Sequence, residues 1–332
     1  MRIQDLTTPA LVVERETLEA NLQTMARALP GPRMRPHVKA HKTTALARLQ
    51  RQAGHTGFTC ATIREVEGMV AAGLDQDLLL ANEVLDARRL GRLVAAGARV
   101  TVAVDSDITV RAAAAGGVAE VVIDVNVGLP RCGAAVEDAG RLAELARSYS
   151  LSVRGVMGYE GHVMLEPAQE KSRQTEECMQ RLLRAAADVG GGLVSAGGTG
   201  NYAVNTWANE IQAGSYLLMD STYAAQDLPF GTALTVLATV ISTNPQGWAV
   251  ADLGLKSLGM DHGNPTIPGA TVWFCSDEHT TFAPDEGQRV GVGDRVRAVP
   301  GHVDPTVALH ERIHLVDGDE VVESWPVDLR GW

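Results

Sequence analysis

The chain lacks what several large function classes require. It has no excess of positive charge: 29 Lys and Arg stand against 40 Asp and Glu, a net charge of −11. No basic tract offsets that balance, which disfavours a nucleic-acid partner. No apolar run approaches the roughly 18 residues of a membrane span, and residues 1–8 lack a basic-then-apolar leader pattern. The four cysteines, Cys60, Cys132, Cys178 and Cys275, form no CxxC pair and no tight cluster. Reduced thiols in a cytoplasmic enzyme are therefore expected, not a disulfide framework. There is no internal repeat and no low-complexity linker.

What is present is a chain long enough, at 332 residues and 45% hydrophobic, for a large core and a second domain. Apolar or β-branched runs recur at 34–38, 57–61, 77–81, 99–104, 119–125, 152–157, 192–196 and 211–218. Between most of them lie stretches of helical period, such as 45–52, 64–72 and 135–148. Eight strands with intervening helices predict an α/β fold built on a (β/α)8 TIM barrel, with an open doubly wound sheet as the alternative. Near Gly231 the texture changes to Val, Thr, Gly and Pro, with candidate strands at 233–242, 248–252, 271–274, 294–299 and 320–327. The predicted organisation is a barrel over 1–230 and a mostly β domain over 231–332. The extended piece at 9–13 can join either domain.

Two segments at opposite ends of the chain carry the chemistry. In Arg35-Pro36-His37-Val38-Lys39-Ala40-His41-Lys42, an extended strand would turn His37, Lys39 and His41 to one face. At the C-terminal end of a barrel strand that face opens on the mouth of the barrel, where a lysine of depressed pKa serves as an imine-forming amine. A surface lysine beside polar histidines is the plain alternative. In Pro300-Gly301-His302-Val303-Asp304-Pro305-Thr306, a strand would present His302 and Asp304 together. An imidazole with a carboxylate suits a hard divalent ion such as Mn²⁺ or Mg²⁺. A loop histidine and a turn-initiating aspartate is the alternative. Between these segments, Ser195-Ala196-Gly197-Gly198-Thr199-Gly200-Asn201 follows an apolar run and can cradle a phosphate or form an ordinary βα turn. An amine with a phosphate loop suggests pyridoxal phosphate, which carries an aldehyde and a phosphate. Arg131, Tyr159 and His162 follow barrel strands, His162 as a candidate general base. Tyr216 and Asp220 end the eighth predicted strand.

In collinear order these segments resemble the D-threonine aldolase and metal-dependent D-serine dehydratase family. That family comprises fold-type III pyridoxal-phosphate enzymes related to alanine racemase. The resemblance runs from Thr8-Pro9-Ala10 through Arg35–Lys42, Arg131-Cys132-Gly133, Tyr159–His162, Gly197–Gly200, Asp252–Lys256 and Glu278-His279 to Pro300–Thr306. It implies that Lys39 bonds the cofactor aldehyde and that Arg131 and Tyr159 contact its ring. It also implies that Gly198, Thr199, Gly200 and Asn201 hold the phosphate, with Tyr216 among the cofactor contacts. His302 and Asp304 would hold the metal, and His162 would lie near the substrate hydroxyl. Dehydratases of the family usually carry Cys where this chain has Asp304, which points to the aldolase branch. The implied reaction is retro-aldol cleavage of a D-threonine-like D-3-hydroxy amino acid to glycine and an aldehyde, by a homodimer acting on a small molecule. A D-serine-type dehydratase keeps the same lysine and metal. A 3-hydroxy-D-aspartate aldolase needs one more cation, for which Arg35, Lys42 and Lys256 are candidates. A non-catalytic pyridoxal phosphate binder would lack the C-terminal β domain, and a racemase would leave the metal pair idle.

Overall fold

The computed structural model describes residues 1–332, which divide into two compact units. One unit comprises Met25–Lys39, Leu46–Gly214 and Gly331–Trp332; the other comprises Met1–Thr24, Ala40–Ala45 and Ser215–Arg330.

The first unit is the barrel. Strands Phe58–Cys60, Leu78–Leu80, Val100–Val104, Glu120–Asp124, Ser152–Met157, Leu193–Ala196 and Glu210–Ile211 pair in chain order, all parallel. Residues 34–37 close the ring. Met34 bridges Ile211 on one side and His37 bridges Thr59 on the other. The Arg35 amide donates to Ile211 O at 2.9 Å, His37 N to Ala213 O at 3.0 Å, and Thr59 N to Pro36 O at 2.9 Å. The open-sheet alternative is thereby excluded. Several strands are buried along their whole length, as parallel strands covered on both faces must be. Leu79, Ala103, Val122 and Met157 form a packed cluster in this unit. The helices between strands start where the sequence supplies caps. Thr62 accepts the Glu65 amide at 3.1 Å, and Ser106 caps Asp107–Gly116.

The second unit is a mostly antiparallel sheet. Its strand order is Ala270–Cys275, Thr280–Pro284, Ala249–Ala251, Leu234–Thr243, Ala10–Glu14, Arg312–Asp317 and Glu320–Pro326, with Arg295–Ala298 also on Leu234–Thr243. Ala10–Glu14 sits between Leu234–Thr243 and Arg312–Asp317, so the N-terminal strand belongs to this sheet. Leu6, Ala10, Val12, Leu237 and Val316 form its core cluster. The division falls at Ser215, ahead of the expected 231. Residues beyond 214 bond within this unit: Asn21 Nδ2 donates to Leu217 O, Ala233 N to Leu218 O, and Ser221 N to Pro300 O. The eighth predicted strand is also shorter than expected. It spans only Glu210–Ile211, and Ser215–Leu217 turns as a 3-10 helix.

Candidate active site

Ion pairs line the barrel's amino-terminal end. A cavity of about 520 Å³ opens there, with Arg35, Asp77, Arg154 and Glu210 among its lining residues. Arg35 pairs with Asp77 and Glu210, each at 2.7 Å, and Arg154 pairs with Asp77 at 2.7 Å. Two arginines hold the Asp77 carboxyl down to about 2, although burial works against its ionisation.

The expected site residues of this unit follow the carboxyl ends of strands. Lys39 is half-buried, but not on an extended strand. Pairing ends at His37, and Val38–Ala40 is a 3-10 turn whose Lys39 amide faces His37 Nδ1 at 3.4 Å. The two-residue alternation of His37, Lys39 and His41 is lost, and His41 is fully buried. The Arg131 guanidinium lies 5.2 Å from the centroid of the Tyr159 ring, a cation–π contact. His162 is exposed in the turn Gly161–Val163, with Nε2 3.7 Å from Cys178 Sγ. Burial pushes the Cys178 thiol up to about 11, so it stays protonated at neutral pH. This contact decides what the ring can do. If Nε2–H donates to sulfur, Nδ1 is the basic nitrogen; if S–H donates to Nε2, Nδ1 carries the proton and cannot act as a base.

The glycine loop is organised from inside. Gly197 has φ +76°, a conformation glycine adopts at no steric cost. The Gly198 amide donates to Asn201 Oδ1 at 3.0 Å, so that amide and that side chain are spent within the loop. A Cβ at Gly200 would lie 2.2 Å from Met164 O, so the loop packs directly on the turn that carries His162. A Cβ at Gly198 would lie 3.0 Å from Met164 Sδ and 3.5 Å from Tyr159 Cε2. Only glycine permits this close packing of the loop on Met164 and Tyr159.

Some groups here escaped sequence reading. Burial pushes the Asp124 carboxyl well above its usual range, and the Glu83 carboxylate adds to the shift through charge and a hydrogen bond. Glu160, between Tyr159 and His162, is fully buried and accepts hydrogen bonds from Gly197, Asn201 and Asn205. A glutamate in a turn gives no local sign of such burial.

The metal pair lies in the β-rich unit, and it is not on a strand. His302 is the N-cap of helix Val303–Leu309 and Asp304 lies in its first turn. Pro305 is tolerated that early in a helix, an acidic residue is favoured there, and the Thr306 hydroxyl closes the turn on His302 O at 2.7 Å. The two donors still converge. His302 Nε2 is 3.7 Å from Asp304 Oδ2. Two atoms each about 2.1 Å from one ion lie at most about 4.2 Å apart, so the pair fits a shared divalent cation. Asp261 accepts from His302 Nδ1 at 2.7 Å, which leaves Nε2 as the ligand nitrogen. That bond holds the Asp261 carboxyl below its usual range, although burial opposes it. His262 stacks on His302 with ring centroids 4.0 Å apart and planes 4° from parallel. Asp220 accepts the Val303 amide at 2.9 Å and so fixes the backbone beside His302. Tyr216 belongs to this unit too; it is fully buried against Phe230, ring centroids 5.7 Å apart, in the manner of a core residue.

Comparison with known proteins finds two family matches along the chain. Residues 13–222 match the family described as alanine racemase, N-terminal domain, and residues 233–316 match the putative serine dehydratase domain. A D-threonine aldolase of an Arthrobacter species is 34% identical over 98% of this chain and 93% of its own length. A 3-hydroxy-D-aspartate aldolase of Paracoccus denitrificans is 31% identical over the same shares. The crystal structure of a D-threonine aldolase from Filomicrobium marinum superposes with a TM-score of 0.93 at 33% identity, covering 100% of this chain and 98% of that one.

Proposed function

The chain belongs to the alanine racemase-type family with a serine dehydratase-type C-terminal domain, and from that premise we propose that it cleaves a D-threonine-like 3-hydroxy amino acid to glycine and an aldehyde. The observation that carries the reading is the His302–Asp304 pair. An imidazole nitrogen and a carboxylate oxygen sit 3.7 Å apart, with the other ring nitrogen fixed by Asp261. Such a pair favours a hard ion, Mn²⁺ or Mg²⁺, able to bind a hydroxyl. What a bound pyridoxal phosphate supplies is an electron sink for the broken Cα–Cβ bond, and what the ion supplies is a lower pKa for the β-hydroxyl.

The chain's own residues do the rest. Lys39 would hold the cofactor through its amine. Arg131 and Tyr159, in cation–π contact with one another, would lie against the cofactor ring. Thr199 and Gly200 would face the phosphate, while Gly198 and Asn201 keep the loop in shape. His162, with Nε2–H directed to Cys178, takes the hydroxyl proton on Nδ1.

The 3-hydroxy-D-aspartate alternative needs an additional cation for the second carboxylate. Of the candidates, Arg35 is already paired with Asp77 and Glu210, and Lys256 with Glu278 at 2.8 Å. These pairings favour an uncharged β-substituent, with Lys42 the remaining candidate cation. We further propose, from the family resemblance, that the enzyme is a cytoplasmic homodimer.

The test is a product assay with D-threonine, pyridoxal phosphate and Mn²⁺, read by NMR. Glycine with acetaldehyde is expected. 2-Oxobutyrate with ammonia would move the protein to the dehydratase reading, and turnover of 3-hydroxy-D-aspartate at a much higher kcat/KM would overturn the substrate class.

A further inference from the structure

We propose that Glu160 is a positioning residue that sets the phosphate-binding shape of the 197–201 loop and ties that loop to the turn bearing Tyr159 and His162. The inference rests on the pyridoxal phosphate reading above and deepens it.

Glu160 is fully buried and nothing in the reaction requires a carboxylate there. A buried carboxylate is costly unless its oxygens are satisfied. Here three N–H groups satisfy it. Oε2 accepts the Gly197 amide at 3.1 Å, and Oε1 accepts the side-chain amides of Asn201 at 2.8 Å and Asn205 at 2.7 Å. Each partner is itself committed to the loop. Asn201 Oδ1 accepts the Gly198 amide at 3.0 Å, its Nδ2 also reaches Thr175 Oγ1 at 3.3 Å, and Asn205 Oδ1 accepts the Ala208 amide at 3.1 Å. One side chain thus fixes the start of the loop at Gly197, its middle through Asn201 and its exit through Asn205.

The same residue anchors the other turn. The Glu160 carbonyl accepts the Val163 amide at 2.9 Å, closing the 3-10 turn that presents His162. Tyr159 precedes it directly, and the loop's Gly200 touches Met164 closely enough to exclude a Cβ. Loop and turn therefore move as a unit about this carboxylate. Glutamine cannot replace it, because its amide would aim a donor at one of three donors.

The phosphate is the part of the cofactor the loop would read, so the test compares ligands that differ only there. Apoprotein of the parent, Glu160→Gln and Asn205→Ala is titrated with pyridoxal 5'-phosphate and with pyridoxal, read by the absorbance of the lysine-bound form. In the parent, the phosphate should tighten binding strongly. In Glu160→Gln, the ratio of the two dissociation constants should fall roughly tenfold to a hundredfold, the scale of lost charge-assisted bonds. Binding of pyridoxal itself should stay within about threefold. Asn205→Ala removes one donor and should lower the ratio by less, which keeps the test decisive where Glu160→Gln does not fold. A ratio unchanged in a folded variant, or parallel weakening of both ligands, would assign Glu160 to the core alone and overturn the proposal. A parent that binds neither ligand would overturn the pyridoxal reading itself, before any variant is compared.

Discussion

The bond between Asp261 and His302 can be weighed by removing it. At 2.7 Å from Nδ1, the Asp261 carboxylate fixes the His302 tautomer and holds the ring. Loss of such an outer partner typically costs 10- to 100-fold in metal affinity, about 1.4 kcal/mol per decade. The two natural substitutions separate the contributions. Asp261→Asn keeps an acceptor oxygen and loses the charge, so about tenfold weaker binding is expected. Asp261→Ala loses both, so about a hundredfold is expected. The loss should go no further, because His262 stacked on the same ring still restrains it. The assay is titration of cofactor-free apoprotein with Mn²⁺, following the EPR signal of the free ion. Binding by Asp261→Ala within twofold of the parent would refute the orienting role. A loss beyond about 10⁴, far outside the range for an outer partner, would refute it differently, by placing Asp261 in the ion's own coordination sphere.

Three further outcomes follow from the barrel unit. His162→Ala should lower turnover by about 10²–10⁴, the ordinary cost of losing a general base, and a steady-state rate within threefold of the parent would remove it from that role. Asp77→Asn should destabilise the protein by about 2 kcal/mol at pH 7, since the folded carboxyl titrates near 2 and the unfolded one near 3.8. Because the folded value is the depressed one, that penalty should be full above about pH 4 and fade as the pH falls toward about 2, as urea unfolding across that range would test. Gly200→Ala drives a Cβ against the Met164 carbonyl oxygen and should cost about 1–3 kcal/mol in the same measurement; an unchanged midpoint would mean that loop and turn separate freely.

Local pattern carried much of the fold because the barrel strands are buried on both faces. Leu78–Leu80 and Val100–Val104 read as apolar or β-branched runs, and turn residues punctuate them. The weak points were the strand ends. Residues 34–37 pair with both neighbours, yet the backbone turns at Val38, where alternation would have continued the strand through Lys39. At Glu210–Ile211 only two residues pair, because the chain then turns into the sheet-bearing unit. In the metal segment, His302 and Asp304 were legible as a pair through their chemistry and their spacing of two, and the spacing misassigned their backbone. Val303, Pro305 and Thr306 suit a strand by composition, but Thr306 closes a helical turn on His302.

The least legible residues are those whose role is fixed by distant partners. Glu160 bonds to Asn201 and Asn205, 41 and 45 positions away, and Asp261 bonds to His302, 41 positions away. In sequence, Glu160 is a glutamate in a turn and Asp261 an aspartate between Met260 and His262, both ordinary on a surface. What makes them consequential is the absence of water around one and the orientation of an imidazole by the other. Both properties arise only when the chain is folded. This explains why chemistry alone nominates the residues proposed to touch cofactor or metal, while it offers no sign of those that would aim them. A ligand must carry a particular functional group, whereas a residue that aims a ligand needs only to be an acceptor in the right place. Side-chain type therefore constrains the ligands strongly and their supports weakly, and the supports are best sought among buried carboxylates surrounded by donors.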